Sequence, residues 1–88
     1  MHEHALMNDL MRQILKAAAD ENATAVTGIS VWLGALSHMS PKHFEEHFVD
    51  AAAGTIAEGA AISAETSADI HDPQATGVVL KGVEVETA

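Results

Sequence analysis

Apolar residues Met7, Leu10, Met11, Ile14 and Ala18 recur at i, i+3, i+4, i+7 and i+11, and this stripe predicts an amphipathic helix over residues 5–19. Glu3 falls in or just before the first turn, where a carboxylate complements the helix dipole. Asp20-Glu21-Asn22 ends the pattern. Between Val26 and Leu36 the period drops to two, with Ile29, Val31 and Leu33 on one face and Ser30, Trp32 and Gly34 on the other. That alternation predicts a half-buried strand. Ser40-Pro41 then offers an N-cap and a proline for the first helical position, with Phe44, Phe48 and Ala52 as the buried stripe. Gly54 stands where a left-handed residue ends such a helix. Glu58-Gly59 marks a turn, and Ala60–Ser67 reads as a weak strand with Ile62 and Ala64 on one face. Ala68–Thr76 is a short polar loop, and Gly77–Glu86 sets Val83 and Val85 against Glu84 and Glu86, with Gly82 at a bulge.

The order α-β-α-β-β predicts an α+β fold, a three-stranded mixed β-sheet covered by two α-helices, as a single domain over residues 1–88. The short loop at Ala68–Thr76 further predicts that strands 60–67 and 77–86 pair as an antiparallel hairpin. In that arrangement Val83 and Val85 share the face of Ile29, Val31 and Leu33. Seventeen of the apolar residues are alanine, so a thin core is expected, because small domains bury proportionally less surface. A sheet of three strands leaves two edges, which makes the chain a candidate for homo-oligomer formation.

Charge and composition narrow the function. Four basic residues against 13 acidic ones leave a formal charge of −9, which disfavours both nucleic-acid phosphates and anionic membrane surfaces. With no cysteine, disulfides and thiolate zinc sites are excluded. The opening Met1-His2-Glu3-His4 lacks the basic start and apolar core of a signal peptide, so a cytoplasmic protein is expected.

Six histidines in an acidic chain direct attention to divalent cations. A free α-amine followed by His2 offers nickel or copper an amine nitrogen, the His2 amide and the His2 imidazole. The Glu3 amide completes a planar set of four nitrogens, the tetragonal geometry those ions favour. Methionine is normally retained before a residue as large as histidine, so the amine belongs to Met1. The first N–H groups of a helix have no intrahelical partner, so their use costs no helical hydrogen bond. The alternative is that His2 and His4 are solvated residues on a fraying end.

His43 and His47 stand four apart on the second helix and share one face. His43-Phe44-Glu45-Glu46-His47 matches the H-x-x-E-H pattern of a protease class, but 88 residues cannot build a substrate cleft around it. The pair reads instead as amphipathic histidines beside the phenylalanine stripe, or as an auxiliary metal site. Met7 and Met11 read as core, and His38 and His71 carry no legible role. Phosphate loops and nucleophile elbows are missing, so an enzyme is not expected.

Several segments resemble a known family, the HypA/HybF nickel metallochaperones of nickel–iron hydrogenase and urease maturation. The similarity begins with Met1-His2-Glu3 and Ala5-Leu6-Met7, and continues through Val26-Thr27-Gly28 and Leu33-Gly34-Ala35-Leu36-Ser37. It resumes at Phe44 and Phe48, at Gly54-Thr55-Ile56-Ala57-Glu58-Gly59-Ala60, and at Leu80-Lys81-Gly82-Val83-Glu84-Val85-Glu86. The resemblance implies Met1, His2 and Glu3 as ligands of transiently bound nickel(II), while His4 stands where the family tends to have an apolar or small residue and is an auxiliary candidate of this chain alone. It also implies a GTPase accessory protein and a hydrogenase large subunit as partners. The family inserts a zinc subdomain with paired C-x-x-C motifs before its last strand, where this chain has only Ala68–Thr76 and no cysteine. No zinc is therefore expected. Two functions stay open: a nickel-delivering accessory protein, or an interaction module of a hydrogenase-related complex that delivers no metal.

Overall fold

The structure, a computed structural model, describes the backbone of residues 2–87 and the side chains of residues 5–87. The first apolar stripe forms helix α1 (His2–Asp20), which buries Met7, Leu10, Met11, Ile14 and Ala18. The chain reverses within two residues, Glu21 and Asn22, the latter in the left-handed region at φ 54°. Strand β1 (Ala23–Leu33) follows at once, starting and ending earlier than the alternation suggested. Helix α2 (Pro41–Ala52) opens on Ser40, whose hydroxyl accepts from the His43 amide at 3.1 Å. Strands β2 (Ala61–Thr66) and β3 (Val78–Thr87) complete the order.

The turn after α2 gives physical content to the Gly-Thr-x-Ala segment. Ala53 (φ −57°, ψ 127°) and Gly54 (φ 80°) occupy the central positions of a type II turn closed by the Thr55 amide on the Ala52 carbonyl at 2.9 Å. The positive φ favours glycine at 54. The Thr55 hydroxyl donates to the same Ala52 carbonyl at 2.7 Å and accepts from the Ala57 amide at 3.0 Å. The Val26 amide then donates to the Ile56 carbonyl at 2.9 Å, which ties this turn to β1.

The sheet is mixed, in the order β2-β1-β3. β1 pairs parallel with β2, so that Ile29 faces Ile62 and Val31 faces Ala64. On its other edge β1 pairs antiparallel with β3, where Ile29 meets Val83 and Val26 meets Val85. The expected hairpin between the last two strands therefore does not form, although Val83 and Val85 do share the face of Ile29, Val31 and Leu33. The reason is hydrophobic. Placing β1, the strand with the most buried side chains, at the centre satisfies both of its backbone edges and flanks it with apolar neighbours.

Three register shifts interrupt the β1–β3 ladder. Two leave Thr24 and Thr27 as extra residues on β1, and their hydroxyls donate to the carbonyls of Glu86 and Glu84. The third places Lys81, beside Gly82, as the extra residue on β3, where the bulge was expected.

The connection 67–77 must pass from one side of β1 to the other. It arches over the end of β1 as a run of tight turns, with Ser67, Asp69 and Asp72 side chains accepting from the amides of Asp69, His71 and Gln74. The Ser67 amide donates to the Leu33 carbonyl, the Gly34 amide to Gly77 and the Leu36 amide to Ala75. Ala75 is buried beneath this arch. Both helices cover one face of the sheet, and Phe44, Phe48, Ile14, Ile29, Leu33 and Val31 form the centre of the core.

Candidate metal site

Strand direction determines where the histidines gather. The tight turn at Glu21 and Asn22 sets α1 antiparallel to β1, and the parallel β1–α2–β2 unit sets α2 antiparallel to β1 as well. The two helices therefore run side by side in the same direction. Their N-termini lie at the end of the molecule where β1 and β2 finish and the 67–77 arch begins. His2, His4, His38, His43 and His71 all belong to segments at that end, and His47 lies one turn further along α2.

Met1 lies outside the described residues, and so do the side chains of His2, Glu3 and His4. The backbone of His2, Glu3 and His4 forms the first turn of α1. Helix geometry leaves the amide N–H groups of that turn without an i−4 carbonyl. A cleft beside the following turn is lined by Ala5, Leu6, Asp9, Leu36, Ser37, His38 and Thr76. His38 holds a positive φ of 60° in this cleft wall, and the buried Ser37 accepts from the Met39 amide at 3.3 Å. Nothing in the spacing of His38 along the chain announces this position. It follows from the β1–α2 loop folding back toward α1.

Two histidines on α2 meet. His43 Nε2 and His47 Nε2 stand 2.8 Å apart, and their rings are tilted by 43° with centroids 4.6 Å apart. Both are half-buried, next to the fully buried Phe44 and Phe48, which stack at 6.1 Å. His71 is exposed in the arch. Among the described residues no group of three or more histidine, cysteine, aspartate or glutamate side chains is arranged to hold a metal ion. Among the same residues no helix is long and apolar enough to cross a membrane.

Fold and site define a small α+β chain in which two parallel helices share an N-terminal end with the segments that carry most of its histidines. The family model described as "Hydrogenase/urease nickel incorporation, metallochaperone, hypA" matches residues 1–71, and the chain belongs to that family. It is similar to the hydrogenase maturation factor HypA of Pyrococcus horikoshii, at 42% identity over 62 residues covering 70% of this chain and 45% of the relative. The HypA of Picosynechococcus sp. is 36% identical over 66 residues, covering 75% of this chain and 58% of the relative. That of Archaeoglobus fulgidus is 37% identical over 60 residues, covering 68% and 54%. The chain thus spans about half the length of the curated relatives it matches. Among solved structures, the nickel metallochaperone HypA from Helicobacter pylori superposes with a TM-score of 0.78 at 13% identity, covering 98% of both chains. At that identity the likeness is one of fold.

Proposed function

We propose that this chain is a nickel-binding accessory protein that takes up nickel(II) through Met1, His2 and Glu3, with His4 close by, and passes it on during maturation of a hydrogenase-type enzyme. The observation that carries this reading is that the nickel-incorporation family model matches from residue 1 onward, and so includes Met1-His2-Glu3. The start of α1 at His2 supports it, because amides in a first turn are available to a metal at no cost in helical hydrogen bonds. In this role nickel is cargo, and the chain carries out no catalysis. A GTPase accessory protein and a hydrogenase large subunit are the partners this reading implies, in the cytoplasm. Residues 1–88 act as one nickel-binding domain without zinc, the 67–77 arch standing where the family carries its cysteine-rich insertion.

A second reading is an interaction module that keeps the fold but delivers no metal. The absence of cysteine, together with the short arch between β2 and β3, favours it. One experiment separates the two. A Gly-Ser extension before Met1 displaces the amine while leaving every side chain intact. Under the proposal, calorimetric titration shows loss of most of the nickel affinity. Undiminished binding by the extended chain rejects the amino-terminal site and leaves the interaction module.

A further inference from the structure

We propose that His43 and His47 form a second, side-chain-only site for a divalent first-row transition cation, one that needs no donor from the amino-terminal amine and does not rest on that reading. The spacing is the first argument. Two histidines at i and i+4 present both imidazoles on one helix face, the arrangement by which helical motifs supply paired nitrogen ligands to zinc. The distance is the second. Metal–nitrogen bonds of about 2.0–2.1 Å, with two ligands at a right angle, require a nitrogen separation of about 2.9 Å. The Nε2 atoms stand at 2.8 Å, close to the separation that two such ligands of one cation need.

Fixed orientation is the third argument. Ser40 and Pro41 define where α2 starts, and the buried Phe44 and Phe48, each one residue after a histidine, lock its rotation. The two imidazoles are therefore held partly buried, which lowers the entropy lost when they chelate. His47 also lines a cleft between α1 and α2 with Met7, Asn8, Asp50 and Ala51. Asp50 places a carboxylate in that wall, and the chain carries a net charge of −9, so the surrounding field attracts a cation. Binding of a cation requires both Nε2 atoms to be unprotonated, so that each ring keeps its one proton on Nδ1, both Nε2 lone pairs face the metal, and water completes the coordination. Two imidazoles with open water positions suit nickel, cobalt, copper or zinc at exchangeable strength, and leave out magnesium and calcium, which demand oxygen ligands.

The test uses the full chain with the Gly-Ser extension, so that the amine-based site is removed, titrated with Ni²⁺ alone and followed by proton NMR of the histidine rings. We expect one ion per chain, with broadening strongest at His43 and His47. In the extended chain, H43Q/H47Q lowers this affinity at least tenfold, about 1.4 kcal/mol. E45Q/E46Q, on the exposed face, leaves it within twofold. Broadening centred on His38 or His71, or unchanged binding by a folded H43Q/H47Q protein, overturns the proposal. Because the mapping needs no variant, it decides the question even where H43Q/H47Q unfolds. Failure of the amino-terminal reading shows separately, as unchanged tight binding after the extension.

Discussion

Gly34 lies directly beneath the Ala75 carbonyl, so close that a β-carbon at position 34 would overlap that oxygen and crowd the Gln74 carbonyl as well. The contact is what allows the 67–77 arch to rest on the end of β1, and the neighbouring hydrogen bonds from Gly34 to Gly77 and from Leu36 to Ala75 hold it there.

Replacing Gly34 by alanine forces this backbone contact apart, since neither partner is a flexible side-chain tip. The expected cost is about 2–3 kcal/mol, the scale of an overpacked core site. Urea unfolding of Gly34→Ala measures it, and a change below about 0.5 kcal/mol would show that the arch does not bear on β1.

Thr55 makes two hydrogen bonds in the turn after α2, one as donor and one as acceptor. Valine keeps its shape and removes both. Thr55→Val should destabilise by about 1–3 kcal/mol, because the part-buried Ala57 amide loses its partner. Thr55→Ser should retain most of the stability, and equal losses for the two variants would assign the effect to packing.

The proposed amino-terminal site makes a distinct prediction for pH and spectroscopy. His2→Ala should reduce nickel affinity as strongly as the extension does, since both remove one nitrogen of the planar set. Bound nickel should be diamagnetic and yellow. Affinity should rise between about pH 6 and 8, because binding displaces protons from the amine and the amides. A paramagnetic complex, or flat affinity across that window, would contradict an amine–amide–imidazole site.

The two sites should be separable. In the chain with its native terminus, His43→Ala with His47→Ala should leave the tightest nickel affinity within about twofold. A loss of roughly tenfold, about 1.4 kcal/mol, would place the main site on α2 instead.

The sequence by itself determined the elements, because each depends on local periodicity and capping. Met7 through Ala18 bury one stripe as a helix, Ser40-Pro41 begins the next, and Gly54 takes the positive φ of the turn that follows it. The candidate Met1-His2-Glu3 was legible for the same reason, since its chemistry needs only neighbours in the chain. Strand order was not. Val78–Thr87 carries the same alternation whether it pairs with β2 or with β1, and only the burial of β1 between two apolar neighbours selects the second. Nor did the spacing of His38, His43 and His71 show that their segments would lie at one end of the molecule. That follows from two helices running antiparallel to the same central strand, a relation that exists only once the chain has folded.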